Sequence, residues 1–368
     1  MFIYLITFLL FICFSFLEVR TDISERTKKY LYTFLFFFLV FQVGFRWQTG
    51  TDWFDYLRHF AQSTSYEAVL INVLLGYEIG YGSFVFLVRS FTDNYTVFLV
   101  LHAVLYYFLV FKANKILSPF PFLSLLVFYA STMGILGSNK QLIALAICFY
   151  SLKYLLDGKS FKFFLLVFIA FLFHTSALLF LIYYFLNRDI KKKYILLSLV
   201  LAIVIGKSSL PNLLFSNFAN FLGGALADKA EKYGDNNLSA TSLSLIGLIR
   251  RLLFFSLFFI NYDKITSKFP TYKLLFNGFF VGLLIYFLFS GSLIVLAGRG
   301  SFYFNIMECF LMSSQLLLFK SKKDRAYLLL VFFIYSYFIF FQSIAEYPEL
   351  FIPYNGVLDS RFPVSSEI

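Results

Sequence analysis

The sequence predicts an all-α fold: a polytopic integral membrane protein with about 12 transmembrane helices. Three observations predict it. Hydrophobic residues make up 60% of the 368 and charged residues only 14%, with a mean hydropathy of +0.79, whereas soluble domains carry roughly a quarter charged residues. The apolar residues run in long blocks rather than amphipathic stripes. Lysine and arginine gather in short clusters between those blocks, the pattern of loops on the cytoplasmic side of a membrane. That distribution excludes nucleic acid as a partner despite a net charge of +11.

A spanning helix needs about 20 apolar residues, fewer where interfacial aromatics complete it. On that measure spans fall near 2–17, 30–45, 95–113, 119–136, 141–156, 161–174, 176–187, 194–206, 241–260, 274–296, 301–319 and 326–342. The first block lacks a charged n-region and a small-residue cleavage site, so it reads as a retained span. Blocks 161–174 and 176–187 read as a short hairpin, because one long helix would put Lys159 and Lys191–Lys193 on opposite sides. In block 241–260 the run LLFFSLFFI cannot span alone. Its helix must include Arg250 and Arg251, roughly 15 Å from the cytoplasmic end at 1.5 Å per residue. The three cysteines lie within apolar spans without a CxxC and read as small apolar residues.

Twenty of the 31 basic residues fall in six alternate segments, 18–29, 112–118, 153–162, 188–193, 261–273 and 320–325. Those segments are expected in the cytoplasm, with the chain multi-pass and both termini outside. The whole chain, 1–368, is expected to be one membrane domain. Its longer periplasmic parts are 46–94, a loop at 207–240 and a tail at 343–368. The remaining basic residues, Arg46, Arg58, Arg89, Lys140, Lys207, Lys229, Lys232, Arg250, Arg251, Arg299 and Arg361, lie outside or at membrane depth, against the orientation rule.

The densest polar stretch is VGFRWQTGTDWFDYLRHF, residues 43–60. Read as a helix starting after Gly50, it sets Asp52, Asp55, Tyr56 and His59 on one face and Trp53, Leu57 and Phe60 on another. Asp52 is then either a catalytic acid or the N-cap of that helix, and Trp47 and Trp53 are expected as interfacial anchors. Arg250 and Arg251, at a costly depth, face a wet cavity or pair with a carboxylate such as Glu308. Arg299, in LAGRGSFYF, is expected at an outer mouth between two spans, where a guanidinium fork suits phosphate oxygens. Lys140 and Gln141 open a helix from the outside, an anion site by geometry. His174 lies at the outer turn of the short hairpin, as a structural hydrogen bonder or a catalyst. Glu78 is the other external acid. Outward cations beneath an aromatic-rich surface fit a lipid-linked pyrophosphate with sugars extending outward. No nucleotide site, metal cluster or serine-hydrolase elbow is visible, and no cofactor is expected.

The stretch VGFRWQTGTDWFDY resembles the GxR…GTDY…Y signature of the EpsG/Wzy-like bacterial polysaccharide polymerases. YEIGYGSFVFL, GILGSNKQLIALAICFYSLKYL, FIAFLFHTSALL and AGRGSFYFNI resemble further family segments in the same order, so the likeness covers about 45–310. The resemblance implies transfer of a growing glycan from undecaprenyl pyrophosphate onto the non-reducing end of a lipid-linked repeat unit, at the outer face of the inner membrane. O-antigen is the expected product, with capsule or exopolysaccharide as alternatives. By matching position it implies roles for Arg46, Asp52, Tyr56, Glu78, Gln141, His174 and Arg299. Lys140 departs from the family's arginine and keeps the charge without the fork. The resemblance further implies a metal-independent enzyme, with undecaprenyl-pyrophosphate-linked oligosaccharide and membrane lipids as partners and a chain-length regulator as a further one. Catalytic roles fall to Asp52, Glu78 and His174; binding of pyrophosphate or sugar falls to Arg46, Tyr56, Lys140, Gln141, Arg250, Arg251 and Arg299. Two other classes compete: a flippase for the lipid-linked unit, and an acyltransferase built on His102.

Overall fold

The computed structural model describes residues 1–74, 76–213, 217, 245–290 and 294–358. Among these, regular structure is helical apart from one isolated antiparallel bridge between Arg46 and Gly356. In chain order the helices are α1 (Phe2–Arg20), α2 (Glu25–Gly44), α3 (Trp53–Gln62), α4 (Tyr66–Leu74), α5 (Ile79–Arg89), α6 (Tyr95–Leu117), α7 (Pro121–Thr132), α8 (Asn139–Leu156), α9 (Ser160–Phe173), α10 (Lys192–Gly206), α11 (Leu245–Ile260), α12 (Tyr262–Thr266), α13 (Tyr272–Phe289), α14 (Ile294–Asn305), α15 (Glu308–Gln315) and α16 (Lys322–Ile344). Four of them, α1, α6, α13 and α16, are long and apolar enough to cross a membrane.

Local chemistry sets several helix starts. Ser24 Oγ accepts from the Thr27 amide at 3.0 Å and Asn94 Oδ1 from Thr96 at 2.8 Å. Ser321 Oγ accepts from Lys323, and Pro121 occupies the first position of α7. Each arrangement satisfies or removes an amide that has no partner within the helix.

Contacts divide the chain into two units, one formed by residues 1–181 with 312–368 and the other by 182–311. In the first, α1, α7 and α16 pack together, α6 lies between α2 and α8, and α9 packs against α8 and α5. Aromatic rings fill its interior: Phe8, Phe11 and Phe340 all surround Tyr129. Its flanks expose Phe34, Phe37 and Phe41 of α2, Phe161 and Phe168 of α9, and Ile334 and Phe338 of α16. Such rows of exposed apolar side chains are a surface for lipid, not water. In the second unit α13 is the hub, packed by α10, α11, α12 and α14. Asn277 on α13 donates to the carbonyls of Leu186 and Arg188 at 2.7 and 2.9 Å, and Tyr183 stacks on Phe304.

The expected hairpin within 161–187 is observed. His174 is extended (φ −158°, ψ 123°) and ends α9, and the Phe163 and Phe180 rings lie 6.4 Å apart. A straight helix would separate residues 17 positions apart by about 25 Å. Two expectations are corrected. The chain does not run as spans 274–296 and 301–319: α13 ends at Phe289, and α14 and α15 are separate, shorter helices. Arg299 therefore sits inside α14 rather than in a turn between two long helices. Gly298 and Gly300 do not break that helix, because an interior glycine costs only about 1 kcal/mol. The segment 46–94 contains three helices, α3 to α5, and the 207–240 loop lies almost wholly outside the described residues, as does 359–368.

Two glycines fix how the loop after α2 meets the turn before α8. Gly50 (φ 99°) and Gly137 (φ 115°) adopt left-handed backbone, and a Cβ on either would overlap a carbonyl oxygen, of Leu136 and of Thr51 respectively. We expect Gly137→Ala to destabilise the protein by about 2–4 kcal/mol. The midpoint of heat-induced aggregation in detergent would drop, and an unchanged midpoint would contradict this packing.

Candidate functional site

The site starts where α2 stops. After Gly44 the chain leaves the helix and turns through three left-handed residues in five positions, Gln48 (φ 48°), Gly50 (φ 99°) and Asp52 (φ 55°). Non-glycine residues there are strained and persist only where surrounding structure enforces them. Two partners do so. The C-terminal segment after α16 lies alongside: Trp47 N donates to Asn355 O at 2.9 Å, Val357 N to Phe45 O at 3.0 Å and Gly50 N to Leu350 O at 2.7 Å. Thr49 Oγ1 donates to Asn355 O and accepts from Asn355 N. On the other side Thr51 N donates to Leu136 O at 2.9 Å. Tyr4 OH donates to Phe351 O and Tyr354 OH to Gln42 O, so the start of α1 and the end of α2 join the same end of the unit.

Arg46 is the hinge of this arrangement and is only 1% exposed. Its guanidinium donates to Val43 O at 2.7 Å and to Asn139 Oδ1 at 2.9 Å, and lies over the Trp53 ring at 5.8 Å. Its Nε has no hydrogen-bond partner, and no carboxylate pairs with it among the described residues. Burial lowers its affinity for its proton, opposed by the phenols of Tyr95, Tyr354, Tyr107 and Tyr81 around it. Asn139, the first residue of α8, thus links the motif to the N-terminus of α8. Its carbonyl also lies 2.9 Å from His102 Nε2. His102, the candidate of the acyltransferase reading, is therefore a wholly buried member of this network. Arg46 is buried in the same network through Asn139.

Helix α3 carries Asp52, Asp55, Tyr56 and His59, though not on one polar face. Tyr56 and His59 are buried with Trp53 and Phe60, while Asp52, Phe54, Asp55 and Arg58 are exposed. The reason is the aromatic cluster of Tyr81, Val85, Tyr95 and Phe98, which takes up the inner half of α3. Trp53 is correspondingly a core residue and not a membrane anchor: it packs edge-on to Trp47 and Tyr95 at 5.4 and 5.2 Å. Asp52 occupies the N-cap position without a side-chain cap bond. Its Oδ2 instead lies 3.5 Å from Ser138 Oγ, just before α8.

Burial and the Asp52 charge raise the Tyr56 phenol well above its ordinary range. The Lys140 ammonium donates to Glu78 Oε2 at 2.7 Å, with both side chains under a fifth exposed, and lies over the Tyr77 ring at 4.9 Å. Glu78 Oε1 accepts long bonds from the Thr175 amide and hydroxyl, each 3.4 Å. Burial pushes the Glu78 carboxyl up, but the Lys140 hydrogen bond and charge, His174 and Thr175 outweigh it, and the net shift is downward. His174 Nδ1 lies 2.6 Å from Ser176 Oγ. Tyr77 also stacks on His59 at 4.5 Å. Burial, then the Lys140 charge, lowers His59 to about 4.

The first unit thus gathers Asp52, Tyr56, Glu78, Lys140 and His174 around the N-terminus of α8, with Arg46 beneath them. Gln141 is buried in the first turn of α8. Arg250, Arg251 and Arg299 belong to the second unit. Arg251 lies over the Tyr286 ring at 3.9 Å and donates to Gly247 O, nine residues before the last residue of α11. Sequence reasoning missed Asn139, Ser138, Thr175 and above all the segment 347–357. Its turn-forming run Pro-Tyr-Asn-Gly, 353–356, was the available signal.

The fold and site define a polytopic membrane protein with a polar cluster at one end of its first unit. Residues 29–355 match the EpsG family, and the chain belongs to that family, as a polysaccharide polymerase-like membrane protein. No curated protein and no solved structure matches the chain.

The His59 environment gives a pH prediction. Between about 4 and the ordinary value of about 6.5 the unfolded chain binds a proton that the folded imidazole does not. Stability should therefore fall as pH drops through that window. His59→Phe, which keeps a ring on Tyr77, should flatten this acid limb in unfolding midpoints taken from pH 7 to 4.5; an unaltered slope would contradict it.

Proposed function

We propose that the protein is a polysaccharide polymerase, acting at the periplasmic face of the inner membrane. It transfers a growing glycan from undecaprenyl pyrophosphate onto the non-reducing end of a lipid-linked repeat unit, with O-antigen as the product. The observation that carries this reading is an exposed carboxylate, Asp52, set 3.5 Å from Ser138 at the N-terminus of α8, the helix whose first turn bears the cation Lys140. It is supported by membership of the EpsG family.

The chemistry needs both. A hydroxyl oxygen of the acceptor sugar bonds to the anomeric carbon of the donor glycan, and the bond from that carbon to the pyrophosphate oxygen breaks. The electron pair leaves on undecaprenyl pyrophosphate, and the hydroxyl proton passes to Asp52. Lys140 and the amides opening α8 face the charge that grows on the leaving group. Glu78, kept ionised, holds Lys140 in place and tempers its charge, with Thr175 and His174 completing that shell. Tyr56, buried against Tyr81, anchors the helix that follows Asp52. Gln141, Arg250, Arg251 and Arg299 are further proposed contacts to the pyrophosphate or sugars, each open to separate substitution.

In a host lacking the chromosomal copy, Asp52→Asn should lower polymerisation about 100-fold or more, and Lys140→Arg should preserve it. The glycan chain-length ladder on a gel, at matched protein levels, reads both. A full ladder with Asp52→Asn would reject Asp52 as the base. Accumulation of repeat units in the cytoplasmic leaflet on deletion would favour a flippase instead.

A further inference from the structure

At the opposite end of the first unit from the motif loop, the ends of four helices enclose a cavity of about 490 Å³. It lies between the last turn of α1, the first turns of α2 and α7, and the last turn of α6. Since α2 is 20 residues long, roughly 30 Å separates this cavity from Arg46. It lies within the usual size range of small-ligand sites, and its lining is strongly charged: Lys28, Lys29, Lys115, Glu18 and Glu25, with Tyr32 as a wall.

The two carboxylates are already engaged. Glu25 pairs with Lys28 at 3.3 Å, and Glu18 Oε2 accepts from the Phe122 amide at the start of α7, 3.2 Å away. Neither Lys29 nor Lys115 has a carboxylate partner among the described residues. Lys115 instead sits over the Tyr32 ring at 4.6 Å. That ring is clamped: Tyr32 OH donates to Phe111 O at 2.9 Å and accepts from Asn114 Nδ2 at 3.0 Å. Two uncompensated ammonium groups therefore face a preformed cavity whose aromatic wall cannot turn away. The helix ends around it belong to α1 and α6, both long enough to span a bilayer, so the cavity opens at headgroup depth.

We propose that this cavity is a binding site for a phosphate ester, held by Lys29 and Lys115 with Lys28 completing the cationic side. Ammonium groups suit it as rotatable point charges for phosphate oxygens. Tyr32 and the aliphatic stems of the lysines pack the organic part of the ester. The same chemistry is offered by an anionic phospholipid headgroup and by a soluble phosphate monoester. The site is independent of the polymerisation reading.

The test uses the purified full chain in nanodiscs, with phosphatidylglycerol titrated into a phosphatidylcholine background and bound lipid counted by native mass spectrometry. A parallel arm titrates glycerol phosphate into the chain in lipid-free detergent. The pocket variant is Lys29→Gln with Lys115→Gln. The control is Lys112→Gln with Lys162→Gln, the same charge change outside the lining. At least a fivefold loss of affinity in the pocket variant, against less than twofold in the control, is expected. Binding in the lipid arm alone identifies a headgroup; binding in both arms identifies a soluble ester as well. Equal losses in the two variants, or no phosphate-dependent binding in either arm, would overturn the proposal.

Discussion

A buried cation with no counter-ion among the described residues governs this structure. Arg46 is enclosed by Asn139, the Val43 carbonyl, Trp53 and a set of phenols. Charge at that burial costs several kcal/mol unless fixed dipoles replace water. The surrounding groups come from α2, α3, α5, α6, α8 and the C-terminal segment, so solvating Arg46 requires all of them to converge. Once they do, the motif loop has a single available path, and its three left-handed residues follow from it.

The backbone of that loop raises the same demand. It is neither helix nor sheet, yet it lies in the interior, where amides need partners. Those of Trp47 and Gly50 find carbonyls of the C-terminal segment and that of Thr51 finds Leu136. What emerges at the surface is Asp52, held beside Ser138 and the start of α8. The reactive-looking side chains are few, and most polar groups at this end serve to place them.

Much of this was legible in the sequence. Apolar blocks located most helices, because a membrane leaves only helices or closed barrels as solutions. The break at His174 followed from lysine placement, and the clustering of motif residues with Glu78 and Lys140 followed from the ordered family segments. The failures have physical causes. Helical periodicity put Tyr56 and His59 with the aspartates, but phenol and imidazole rings can be buried where carboxylates cannot, and the aromatic cluster took them in. Tryptophan statistics suggested the interface, while Trp53 was needed against Arg46. Apolar blocks 274–296 and 301–319 left Arg299 between two spans, though helix α14 runs through it. The Pro-Tyr-Asn-Gly run marks a turn at 353–356 but does not point to residues some 300 positions earlier, which Asn355 and Leu350 meet through their backbone.

The central claim is that the C-terminal segment holds the motif loop in place, and hydrogen–deuterium exchange tests it most directly. Peptides covering 45–52 are compared between the full chain and a chain ending at Ala345, both in nanodiscs, with α8 peptides as the internal control. The account predicts slow exchange of the Trp47 and Gly50 amides in the full chain. In the shortened chain these amides should exchange at the earliest time points while α8 stays protected. Equal protection of 45–52 in both chains would contradict it.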